Sequence, residues 1–132
     1  MNKIITIKFL NEEYTVDLSE FDISDEIDKT VISKFLFFSE LSNKANLMLE
    51  KFKADEKKYI ATTVNSLVGV FKSEKAKEDK LISNDPQKFI DFAYGEAELS
   101  YIKNVFNDIA KAYQMKNDLQ IVLYKAKKLI EK

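Results

Sequence analysis

The sequence predicts a mainly α fold: a long antiparallel two-helix hairpin with a small N-terminal β-hairpin, in a single domain spanning residues 1–132. Three observations carry this. Gly and Pro together number only three, too few turn residues for an all-β or α/β chain. Apolar residues recur at helical spacing over two long stretches, one on either side of the single proline. Only the N-terminus departs, with a period of two. At 45% hydrophobic and 33% charged the composition suits a soluble domain, and the apolar run in "MNKIITIKFL" is too short for a signal peptide or a membrane span. The chain is expected to be cytoplasmic and to have no membrane partner.

The first element is the exception. In "KIITIKFLNEEYTVDL" Ile5, Ile7 and Phe9 alternate with Thr6 and Lys8, and Tyr14, Val16 and Leu18 alternate with Thr15 and Asp17. Two such runs, separated by Asn11, Glu12 and Glu13, read as a β-hairpin within residues 1–20. A lone hairpin is marginal in water, so this one must lie on something apolar or pair with another chain.

The first long helix follows, over residues 24–75. Asp22 or Ser24 offers an N-cap, and Asp25, Glu26 and Asp28 suit the positive end of a helix dipole. From Ile27 the apolar positions Val31, Phe35, Phe38, Ala45, Leu49, Phe52 and Tyr59 keep the helical period, with no Pro or Gly before Gly69. Such a helix would reach roughly 70 Å at 1.5 Å per residue.

The single proline marks the reversal. In "SNDP" Asp85 is an N-cap and Pro86 takes the first helical position, where a missing N–H costs nothing. Asp85, preceding proline, is pushed out of the α region and ends the incoming helix, so the turn falls near Ser83 to Asp85. The second long helix then covers residues 86–130. Phe92, Leu99, Phe106 and Tyr113 form one heptad row, and Ile102, Ile109, Leu123 and Ile130 the other. Gly95 falls on the seam, which is tolerable where a partner packs closely.

Two helices cannot bury everything this chain offers. In "VISKFLFF" Val31, Phe35 and Phe38 can face the partner helix, while Ile32 and Leu36 point elsewhere and Phe37 elsewhere again. Monomers seldom expose such patches, so Val31, Ile32, Phe35, Leu36, Phe37 and Phe38 are expected to build a homo-oligomer interface.

Composition excludes much chemistry. With neither Cys nor His there is no disulfide, thiol nucleophile, imidazole metal ligand or catalytic triad. Neither glycine lies in a phosphate-cradling motif. The carboxylate pairs Asp25 with Glu26 or Asp28, Asp55 with Glu56, and Glu96 with Glu98 read as helix-start charges and solvated faces. The expectation is a protein that is not an enzyme and needs no cofactor or metal. All 21 basic residues are Lys, which rules out bidentate guanidinium contacts to phosphate or guanine. By segment the net charge is −5 over residues 1–30, +3 over 31–80 and +1 over 81–132. That balance argues against tight binding of nucleic acid by one subunit, though not against weak binding multiplied by assembly.

Lysines cluster in three places: Lys51, Lys53, Lys57 and Lys58; Lys72, Lys75, Lys77 and Lys80; Lys125, Lys127, Lys128 and Lys132. The first cluster adjoins Tyr59 and the last Tyr124. Lys beside an aromatic ring suits single-stranded nucleic acid, because amines follow phosphates while rings stack on bases. The plainer reading of such a cluster is a solvated helix face with intrahelical Glu–Lys pairs, and of Tyr59 a core seam residue.

The stretch "KSEKAKEDKLISNDPQKFIDFAYGEAELSYIKNVFNDIAKAYQMKNDLQIV" sets a basic polar segment, an apolar pair ending in Ser and a short acidic cap before a long helix. With "TVISKFLFFSELSNKANLMLEKFKADEKK" upstream, it resembles the UvsY-type recombination mediators of T-even-like phages, over about residues 27–125. The resemblance implies a small helical protein that forms a ring-like homo-oligomer, which a ring of six or seven subunits would fit, and binds single-stranded DNA. It would help load a recombinase where a single-strand-binding protein already sits, in the host cytoplasm. The matching Lys pair is Lys57 and Lys58, and Lys53 and Tyr59 complete the candidate DNA-contact set. The next residues, "YIATTVNSL", are uncharged where the family carries Lys and Arg. An alternative from another class is a helical protein-interaction module, a phage-encoded inhibitor or assembly chaperone working through its acidic N-terminus and aromatic faces.

Overall fold

Alternation in the first eighteen residues produces two strands, β1 (Ile4–Phe9) and β2 (Glu12–Asp17), paired antiparallel with Ile5 opposite Val16 and Ile7 opposite Tyr14. The computed structural model describes residues 3–66 and 73–131. Ile7, Phe9 and Val16 are buried on one face of the ribbon, and Thr6, Lys8 and Thr15 are exposed on the other. The connection is tighter than expected. Leu10 and Asn11 alone make it, with φ of 51° and 64°, and Glu12 already pairs with Phe9. Two consecutive left-handed residues match the twist of the strands, which is why two-residue loops favour this geometry.

The chain is mainly helical, and its described residues form three helices: α1 (Val31–Ser66), α2 (Glu74–Asn84) and α3 (Pro86–Ile130). The expectation of two helices needs correcting at both ends of the first. α1 starts at Val31, not at Ser24, and neither Asp22 nor Ser24 caps it. Residues 18–21 instead form a 3-10 turn capped by Asp17, whose carboxylate accepts from the Ser19 N–H at 3.0 Å. Local side-chain bonds hold the stretch after it out of helix. The Ser24 hydroxyl donates to the Glu26 carbonyl at 3.0 Å, and Asp28 Oδ1 accepts from the Thr30 N–H at 2.9 Å. Short polar side chains thus offer the backbone an alternative to helical bonding. The helix begins once Thr30 O accepts from the Lys34 N–H at 3.0 Å.

The expected run of the first helix through residues 67–72 lies outside the described residues. At Ser73 the backbone is extended (φ −159°, ψ 164°), and its hydroxyl accepts from the Ala76 N–H at 3.1 Å. That is a helix N-cap, and α2 is therefore a separate helix. The break expected at the proline is present and confined to one residue. Asp85 leaves the helical region at φ −150°, ψ 73°, its carboxylate accepts from the Lys88 N–H at 3.2 Å, and α3 starts on Pro86. Ser83 belongs to α2 rather than to a turn.

The chain forms two compact units, one from residues up to Lys44 together with those from Ile102 onward, the other from Ala45 to Tyr101. In the first, α1 and α3 run antiparallel: the Ser42 hydroxyl donates to Lys103 O at 3.0 Å, and Phe38 meets both Phe106 and Tyr113. Phe106, fully buried, is the hub, with Phe9 and Tyr14 of the β-ribbon edge-on to it at 5.6 and 5.5 Å. The ribbon is marginal alone, and this helical surface supplies the apolar support it needs.

In the second unit Phe52 packs on Phe92 at 5.8 Å, and Tyr59 packs on Phe92 and Phe89 at 5.5 and 6.1 Å. Gly95 sits against the Phe52 ring, so closely that a Cβ there would lie 2.9 Å from Phe52 Cε2. The heptad rows hold as far as Tyr113, with Phe92, Ile102, Phe106, Ile109 and Tyr113 buried. They fail beyond it. Leu123 and Ile130, expected on the seam, are exposed, as is every described residue from 121 to 131. The rows that should have carried them onward pass through Lys116 and Gln120, which bond to polar groups of the N-terminal segment instead.

Candidate functional site

The candidate DNA contacts lie in the second unit. Lys57 and Lys58 are exposed on α1, whereas Lys53 and Tyr59 are half-buried. Tyr59 is a seam residue. Its ring packs on Phe89 and Phe92, and the Lys88 ammonium lies 5.3 Å from its centroid, so it is not an open platform for a base. Lys53 and Lys57 share a groove with Glu50, Glu56 and Glu96, so carboxylates interrupt the cationic track. Lys58 is not among the residues lining it.

Of the aromatic segment expected at an oligomer interface, Val31 and Phe38 are buried in the chain's own interior at 1% and 6% exposure. They cannot reach a partner, which corrects that part of the expectation. Phe35 is half-buried, and Ile32, Leu36 and Phe37 are exposed. Phe37 lies 6.0 Å from the Tyr14 ring, at the margin of the β-ribbon.

Sequence reasoning passed over a polar latch in the first unit. Lys116, only 8% exposed, donates to the Glu20 carbonyl and, at 3.4 Å, to Asp28 Oδ2. Gln120 clamps the same backbone from both sides: the Asp28 N–H donates to its Oε1 at 2.8 Å, and its Nε2 donates to Asp28 O at 3.3 Å. The Tyr113 hydroxyl donates to Glu20 Oε2 at 2.6 Å, and Lys34 Nζ reaches Glu20 Oε1 at 3.2 Å. The Thr30 hydroxyl and N–H, then Lys116, hold the Asp28 carboxyl down at about 2. Burial, reinforced by the Glu20 carboxylate, pushes the Tyr113 hydroxyl well above its ordinary value. Among the described residues no buried side-chain polar atom lacks a partner, so the latch is fully satisfied. A signal was there: the rows Phe92–Tyr113 and Ile102–Ile109 continue to Gln120 and Lys116, polar residues at seam positions.

Next to this latch the surface opens into a groove of about 460 Å³. Ile27, Ile32, Ile121 and Tyr124 line it, each 45–56% exposed, with Lys29 and Lys125 at its edge. Lys128 Nζ lies 5.5 Å from the Tyr124 centroid. The candidate carboxylate pair of Asp25 and Asp28 is divided between lysines, Asp25 with Lys127 at 3.7 Å and Asp28 with Lys116.

No protein-family model, curated protein or solved structure matches this chain. What it does must be argued from its surfaces. Among the described residues no helix is long and apolar enough to cross a membrane.

Proposed function

We propose that the chain is a non-enzymatic recombination mediator, an accessory protein that binds single-stranded DNA and helps load a recombinase onto strands coated by a single-strand-binding protein. The observation that carries this reading is the outward pair Lys57 and Lys58, exposed and in none of the ion pairs among the described residues. Together with the resemblance over residues 27–125, they supply a backbone contact that reads phosphate and not sequence. One subunit offers few such contacts. A homo-oligomer, a ring of six or seven in this reading, multiplies them, and the exposed Leu36 and Phe37 supply apolar surface for its assembly.

The test is binding of an oligo(dT) strand across a salt series. Affinity should be measurable at about 50 mM salt and fall steeply, each phosphate contact adding about 0.7 to the slope of log affinity against log salt. Replacing Lys57 and Lys58 together with Ala should weaken binding and flatten the slope, with the oligomer intact by light scattering. No binding at that salt rejects the mediator reading. An unchanged slope in the double variant rejects only the site.

One observation favours a second reading, the helical protein-interaction module. The groove beside Tyr124 is walled by isoleucines and rimmed by lysines. Such a trough with few polar groups suits side chains of a protein partner better than a nucleic-acid backbone.

A further inference from the structure

The groove of the first unit is built from two elements that hold each other in place. Its near wall is the irregular stretch carrying Ile27 and Lys29, pinned to α3 by Gln120 and Lys116, and running into the first turn of α1 with Ile32. Its far wall is α3, with Ile121 and Tyr124. Both walls are therefore preformed, which lowers the cost of docking.

Charge decides what fits. Asp28, the acid lining the groove, has its carboxylate taken by Thr30 and Lys116, and Asp25 nearby is paired with Lys127. Lys29 and Lys125 line the groove and Lys128 lies beside Tyr124, all three in none of the ion pairs among the described residues. The groove's own lining therefore holds two cations outside any ion pair and one acid already paired, over an aliphatic floor. Both polar atoms of Gln120 are engaged by the Asp28 backbone, so they are not offered to a base edge. A second copy approaching groove to groove would set like charges against each other.

We propose that this groove docks an acidic, amphipathic peptide segment of a partner protein, its aliphatic side chains between Ile27, Ile32 and Ile121 and its carboxylates on Lys29, Lys125 and Lys128. The inference rests on the protein-interaction reading and gives it a site and a partner chemistry. Anchors spaced one helical turn apart would seat between the two walls, as in other helix-in-groove contacts.

The experiment is selection of a display library of random dodecapeptides against the intact protein, with the Ile32→Asp/Ile121→Asp variant as the counter-target. Both residues are about half exposed, so the variant should keep its fold, checked by circular dichroism. Enriched sequences should combine two or three Leu, Ile or Phe with at least two Asp or Glu. A synthetic copy should bind about tenfold more weakly to Lys29→Glu/Lys125→Glu and to Ile32→Asp, and more weakly as salt rises. Peptides that enrich but are basic, or that ignore these substitutions, overturn the groove and leave the protein-interaction reading standing. No enrichment over background overturns both. Displacement of the peptide by oligo(dT), with the same sensitivity to Ile32→Asp, would give the groove to nucleic acid. A dimer in sedimentation that Ile32→Asp dissolves would give it to a second copy.

Discussion

Replacing Lys116 with Met should lower the melting temperature by about 10 °C. Met keeps most of the aliphatic stem, so the change removes charge and donors more than volume. Two charge-assisted hydrogen bonds disappear, to the Glu20 carbonyl and to Asp28 Oδ2. Such bonds are worth about 1.5–3 kcal/mol each. Asp28 loses less than the full amount, since its side chain is 29% exposed and keeps both Thr30 donors. The net cost is therefore about 2–3 kcal/mol, and a chain of this size loses about 4 °C per kcal/mol. Thermal unfolding followed by far-UV circular dichroism at neutral pH measures it. A double-mutant cycle with Asp28→Asn should show coupling of about 1 kcal/mol. A fall of under about 2 °C, or a rise, would mean that solvent replaces Lys116 at no cost, and the latch would not be holding the N-terminal segment.

Acid should release the same latch from its other side. The Asp28 carboxyl is depressed from 3.8 to about 2, so its contribution is complete above pH 3.8 and disappears as pH falls through 2. Urea midpoints across that window should drop in the parent chain and stay flatter in Asp28→Asn. Gly95→Ala should destabilise although alanine is the better helix former by about 1 kcal/mol, because its Cβ meets the Phe52 ring. In a Phe52→Leu background the same change should turn stabilising, and unfolding free energies that keep one sign in both backgrounds would refute the contact. Phe106→Ala, at a fully buried position touching both strands and α1, should cost about 3–5 kcal/mol. Hydrogen exchange would show β1 and β2 losing protection first. Equal loss across the chain would place the hub elsewhere.

Where local chemistry and global packing agree, the fold could be read directly. Pro86 after Asp85, the alternation of Ile5, Ile7 and Phe9, and the buried spacing from Phe92 to Tyr113 all appear as expected. The errors fall where long-range partners override local signals. Asp25, Glu26 and Asp28 look like the acidic first turn of a helix, but Gln120 and Lys116 claim the Asp28 region from 88 to 92 residues away. Nothing local announces that. Ser73 before Glu74 was a legible cap, masked by the stronger stop signal at Asp85. On α3 the heptad continued in sequence to Leu123 and Ile130 while the partner surface did not. Periodicity says which side chains share a face, but not whether anything lies opposite. The candidate DNA set was partly legible for the same reason: Lys57 and Lys58 are surface residues by any reading, whereas the role of Tyr59 depended on where Phe89 and Phe92 lay.

The first unit is interrupted in the sequence by the whole of the second, and that order matters during synthesis. Phe38 leaves the ribosome roughly 70 residues before Phe106 and Tyr113, the rings that cover it. At about 5–20 residues per second the wait is about 3–15 s. Throughout it Phe38 and the apolar face of the β-ribbon lack Phe106 and Tyr113, with only the Phe37–Tyr14 contact available, while residues 45–101 can already be collapsing. A nascent chain in that state offers chaperones, and neighbouring nascent copies, the most apolar segment it has. Slowing elongation before residue 102 should therefore raise aggregation of newly made chains, whereas slowing it after Tyr113 has emerged should not.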